Sequence, residues 1–193
     1  VNGVIRRRPL RKRAGMIEVH LNRNERQLLA DLPLRYRDRL PEGDDPVSAP
    51  AGEPDSPGNP AERAFDPPVG GRPGAPGPEM PADPALARLF PPAYHDQAAA
   101  AEYARLMGSQ LAASHRSDLE LLAATASADR LTPEQAETWL RALNDIRLVL
   151  GTELGVEQDW DVQAALAGGS PAVHVYVYLS WLQEELVEVL AGQ

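Results

Sequence analysis

Cysteine is absent from the 193 residues. That excludes disulfide scaffolds, thiolate metal sites, iron–sulfur clusters and cysteine nucleophiles. Aromatic side chains are scarce, at 5%, so a core has to be assembled mainly from Ala, Leu and Val. No apolar run approaches the ~20 residues that a membrane-spanning helix needs. Arg7-Arg8 is not followed by the apolar stretch of an export signal. The expected location is the cytoplasm, with no membrane association. Lysine is nearly absent too: Lys12 stands alone among 19 basic residues. This resembles the codon bias of a GC-rich genome, so the choice of Arg over Lys says little about bidentate recognition.

Proline and glycine are abundant but unevenly placed. Residues 41–84 hold thirteen of the 19 prolines and seven of the 15 glycines. Such a stretch buries too little apolar surface to offset an ordering cost of about 1–2 kcal/mol per residue. Charge divides at the same boundaries. Residues 1–40 carry eleven Arg/Lys against four Asp/Glu, residues 41–84 two against nine, and the remainder six against fifteen. The organisation expected is a basic N-terminal strand or hairpin plus helix over 1–40, packing on a helical bundle. A disordered acidic linker follows over 41–84, then a helical domain over 85–193.

Local signals fill in the elements. Met16–Leu21 alternates as a half-buried strand does, and Val4-Ile5 further back suggests a hairpin partner. Asn22 with Glu25 forms a capping pattern that opens a helix with Leu28, Leu29, Leu32, Tyr36 and Leu40 on its apolar face. Pro33 predicts a kink or split there. Asp83-Pro84 opens a short helix through Phe90. A long helix is predicted from about Asp96 to Ala126, with Tyr103, Leu106, Met107, Leu111, Leu119 and Leu122 on its core side. Thr132-Pro133-Glu134-Gln135 is a capping box; it opens a helix with Ala136, Trp139, Leu140, Leu143, Ile146, Val149 and Leu150 at helical spacing. Gly155 supplies a left-handed stop. Val173–Leu179 is β-branched and aromatic, yet the spacing from Trp181 to Leu190 is helical, and helix is predicted from Ser170 to Leu190.

Signatures of catalysis, metals or cofactors do not emerge. His115, Asp118 and Glu120 are close in sequence, but their spacing does not align all three on one helix face. Ser114 and His115 are neighbours that point apart on a helix. Asp159-Trp160-Asp161 lacks the ligand ladder of a calcium loop. Two clusters carry the remaining chemistry. One is Arg141, Asn144, Asp145 and Arg147, which interrupt the apolar pattern of the capped helix, together with Gln183; it reads as a structural polar network or a partner-binding surface. The other is the run Arg6, Arg7, Arg8, Arg11, Lys12 and Arg13, which could neutralise phosphates in a salt-sensitive, sequence-independent way. It has no aromatic residues for base stacking and belongs to an acidic chain.

Several separated motifs together form a resemblance. Trp139–Thr152, Asp83–Pro91, Tyr178–Gln183 and the N-terminal strand into Leu28-Leu29 resemble an actinobacterial family of unknown function, number 2017. The family it resembles has no established enzymatic activity. It implies transcriptional regulation in the oxidative stress response with sigma factors, and a gene setting near the ClpS adaptor and a cysteine-synthesis pathway. The sequence departs from that pattern in its long Pro/Gly insertion and in having no thiol with which to sense redox state. The reading is a mainly α-helical, non-enzymatic regulatory or adaptor protein that acts through protein contacts. Its expected partners are transcription machinery or proteolysis-adaptor components. A DNA-associated regulator using the arginine-rich arm is the alternative.

Overall fold

The computed structural model describes residues 8–41, 83–91 and 96–192. Two antiparallel strands come first, β1 (Leu10–Arg13) and β2 (Met16–Val19). A two-residue loop joins them, and both of its residues have positive φ: Ala14 at 52° and Gly15 at 78°. That backbone belongs to a type I′ turn, whose twist matches the strands it connects. Alternation along β2 buries Ile17 and Val19 beside Leu10 of β1. The expected hairpin is present, but its first strand is the second half of the basic run. Val4 and Ile5 lie outside the described residues, as does most of the segment expected to be disordered.

A third strand, β3 (Arg130–Leu131), pairs antiparallel with β2, Ile17 opposite Leu131, giving the order β1-β2-β3. The Val19 N–H extends this pairing to the Asp129 carbonyl at 2.9 Å. The hairpin is thus tied to the connection that leads into the capped helix. No pattern in the sequence pointed to β3, since two residues cannot display a period.

Asn22 caps α1 (Arg23–Arg37), its side chain accepting from the N–H groups of Asn24 and Glu25. The Glu25 carboxylate accepts the Asn22 N–H at 2.7 Å, which completes the capping box. Pro33 does not split this helix. It deprives only the carbonyl four residues back of a donor, and buried Tyr36 and Leu40 anchor the last turn against a cost of about 3 kcal/mol. Asp83 caps α2 (Pro84–Ala87), a single turn. The helix expected to reach Phe90 ends early, and the chain turns to bury Leu89 and Phe90 instead.

Three long helices complete the bundle: α3 (Gln97–Thr125), α4 (Pro133–Glu153) and α6 (Pro171–Ala191). The Thr132–Gln135 capping box opens α4 as predicted. A Schellman motif closes it: Val156 N–H donates to Gly151 O at 2.8 Å, Gly155 N–H to Thr152 O at 3.1 Å, and Gly155 has φ 65°. A short α5 (Val162–Ala167) had not been foreseen. Asp161 caps it by accepting from Gln163 and Ala164, which gives the acidic Asp159-Trp160-Asp161 stretch a structural use. Residues 171–191 are helical throughout.

The layering places α4 at the centre. α3 and α6 pack on it, α1 packs on α3, α2 on α4, and β1 rests on α6. Trp139 is fully buried there, and its indole N–H donates to Thr125 Oγ1 at 2.7 Å. Leu119 and Leu122 of α3, Leu143 and Ile146 of α4, and Leu179, Leu182 and Leu186 of α6 belong to the same buried core, each contributing about 1.5–3 kcal/mol by burial. One expectation fails in an informative way. Tyr103, Leu106, Met107 and Leu111 are exposed, not core, because the packing of α3 against its neighbours buries Ala112, Leu119, Leu122 and Ala126 in the later part of the helix.

Candidate interaction face

α4 carries two stripes. The inner one is the core set just described; the outer one, at three- and four-residue spacing, is Leu140, Arg141, Asn144, Arg147 and Leu148. Where the outer stripe meets α3 and α6, a cleft of about 430 Å³ opens. Leu111, Ser114, His115 and Asp118 come from α3, Leu140, Arg141, Asn144 and Asp145 from α4, and Gln183 from α6. Exposed Met107, one turn before Leu111, continues this side of α3 in the direction of its N-terminus.

Asp145 is buried, and His115 is its partner: Nδ1 lies 2.6 Å from Oδ2. Burial disfavours a charged imidazole, but the hydrogen bond to Asp145 and the charge of that carboxylate outweigh it. The Leu89 carbonyl and Asp118 act in the same direction, and His115 therefore titrates above its ordinary value. Phe90 packs edge-on against the ring, 5.7 Å between centroids. The other ring nitrogen, Nε2, is buried. The pair has the chemistry of an Asp–His dyad, but Nε2 faces no nucleophile among the described residues, and Ser114 is its sequence neighbour. What the pair does by geometry is bind α3 to α4.

The other residues of the cluster separate into two groups. Arg141 makes a bidentate contact with Asp118 through Nε at 2.7 Å and Nη2 at 3.0 Å, and also donates to Thr138 Oγ1. The Asp118 hydrogen bond raises its already high pKa. Asn144 lines the cleft, half-buried. Arg147 turns the other way. Its Nε–H donates to Ser180 Oγ at 2.9 Å and its Nη1 to Gln183 Oε1, with the Tyr176 ring beneath it at 5.5 Å. Arg141 and Asp145 thus look to α3, Arg147 and Gln183 join α4 to α6, and Gln183 reaches both sides.

The basic run is elsewhere, at the sheet. Arg11, Lys12 and Arg13 are exposed on β1. Glu18 lies 3.6 Å from Arg13 and 3.5 Å from Arg130, and Arg8 pairs with Glu188 at 3.3 Å. Arg6 and Arg7 lie outside the described residues. The part that is described is a strand with carboxylates beside it.

The pairing of His115 with Asp145 is not legible in the sequence because the partners are 30 residues apart. The signal was on α4: an Asp within an apolar stripe requires a donor or cation from another element. Phe90 and Tyr176 had no comparable signal. Among the described residues, no group of three or more His, Cys, Asp or Glu is placed to hold a metal ion. No described helix is long and apolar enough to cross a membrane.

A family model described as "Domain of unknown function (DUF2017)" matches residues 7–190. The chain belongs to that family. No curated protein and no solved structure matches it.

Proposed function

Taking the chain as a member of this family, we propose that it is a non-enzymatic regulatory or adaptor protein of the cytoplasm. It acts through protein contacts made by the outer face of α3, α4 and α6. The carrying observation is the exposure of Met107 (37%) and Leu111 (37%) beside a cleft with polar walls. Apolar side chains clustered at the surface around a depression mark interaction sites more often than scattered ones do. In the same reading the partner is a component of the transcription machinery or a proteolysis adaptor, and the regulation concerns stress response or cysteine metabolism.

The competing reading, a DNA-associated regulator, draws on Arg8, Arg11, Lys12 and Arg13. Its support is thinner. Glu18 and Glu188 already lie beside part of the basic surface, and the net charge of −9 repels phosphate.

Photo-crosslinking tests the leading reading. A benzoylphenylalanine at position 111 should give a discrete covalent adduct in native lysate. The same group at Ala124, exposed near the other end of α3, should not. Equal labelling at both positions, or none at 111, contradicts the proposal.

A further inference from the structure

We propose that Arg147 is a recognition site for a single carboxylate of a protein partner. This rests on the protein-contact reading above and specifies the chemistry of the partner. Arg147 lines a second depression of about 430 Å³ between α4 and α6, with Ser180, Gln183, Glu184, Val187 and Glu188. Among the described residues its guanidinium is held by neutral groups: Ser180 Oγ at 2.9 Å, Gln183 Oε1 and the Tyr176 ring.

Those supports are themselves fixed. The Ser180 hydroxyl donates to the Tyr176 carbonyl at 2.8 Å, which leaves its lone pairs for Arg147. The Tyr176 ring is packed edge-on by Trp160 at 5.5 Å. It also lies so close to α4 that a Cβ on Gly151 would sit 3.2 Å from it. Arg26, Arg37, Arg39 and Arg141 each meet a carboxylate; Arg147 meets none among the described residues. Its Nη2 makes no hydrogen bond there either. An oriented cation with no carboxylate at contact distance has lost rotamer freedom in advance, which is a costly part of binding an anion.

The surroundings select the anion. Glu184 and Glu188 stand in the same depression, so a chain of phosphates would meet as much repulsion as attraction. One carboxylate fits if its neighbours are apolar, to cover Val187 (49% exposed), and basic, to meet Glu184. Peptides of mixed charge on an apolar helix face offer that combination, and nucleic acid does not.

NMR of the arginine side chains of the full-length protein tests this, with acetate as the bare carboxylate and inorganic phosphate and chloride as the comparison anions. Arg147 Nε–Hε should shift saturably with acetate, while Arg11 and Arg13 on the open strand drift linearly. Phosphate should bind Arg147 more weakly than acetate. Replacing Ser180 by Ala should weaken acetate by roughly threefold, the loss of one modest hydrogen bond, without unfolding the protein. Linear drift at Arg147 alongside the strand arginines, or preference for phosphate, would overturn the assignment. The crosslinking at position 111 does not involve Arg147, so a failed acetate titration with intact crosslinking refutes the carboxylate site alone. Failed crosslinking refutes the face.

Discussion

His115 and Asp145 form a contact whose strength depends on pH, and the direction follows from the titration of the histidine. Its folded-state pKa is raised above the ordinary value of about 6.5. The pair therefore contributes fully below the unfolded pKa and loses its contribution as pH rises through the folded one. Thermal unfolding followed by circular dichroism should show wild-type stability falling as pH rises above about 6.5 more than that of Asp145→Asn. Asp145→Ala should cost about 1.5–3 kcal/mol, the range for a hydrogen bond to a charged group. A loss below about 0.5 kcal/mol would place it with ordinary surface substitutions and contradict the geometry. Ala14 offers a prediction of opposite sign. Its φ of 52° puts a Cβ where about 1 kcal/mol of strain is usual. Ala14→Gly should leave stability equal or raise it by up to ~1 kcal/mol, strain relief being offset in part by unfolded-state entropy; clear destabilisation would refute the turn.

At the scale of elements, the helix termini were the most legible features because their signals are local. Asn22 with Glu25, Thr132 with Gln135, and Gly155 before Val156 each act within one turn, and all three are in place. Features fixed by distant partners were not legible. β3 exists because Ile17 and Glu18 pair with it, and the exposure of Leu106 and Leu111 depends on which length of α3 its neighbours cover. Pro33 shows tertiary burial overriding a strong local rule. Within the candidate site, the polar interruptions of α4 were visible, but not that Asp145 turns to His115 while Arg147 turns to Ser180 and Gln183. Thr132→Ala tests the weight of the local signals. It removes the acceptor for the Gln135 N–H at 3.2 Å and should cost about 1 kcal/mol, read as a lower midpoint in urea with an unchanged slope. A change in slope would mean that the substitution altered more than the cap.

For the molecule as a whole, the chain leaves the described body at Pro41 and re-enters at Asp83, and an Arg39–Asp83 ion pair of 2.6 Å bridges the two ends. Replacing 42–82 by a short Gly/Ser linker should shift the thermal midpoint by no more than about 4 °C, equivalent to roughly 1 kcal/mol at this size; a larger fall would show that the core depends on the excised residues. The central claim is that function resides on the α3–α4–α6 face and not on the basic strand. Quantitative affinity capture from native lysate compares wild type with two folded variants, Met107→Asp/Leu111→Asp on the face and Arg11→Ser/Lys12→Ser/Arg13→Ser on the strand. The face variant should lose the proteins enriched by wild type while the strand variant keeps them. Retention by the face variant and loss by the strand variant would contradict that claim.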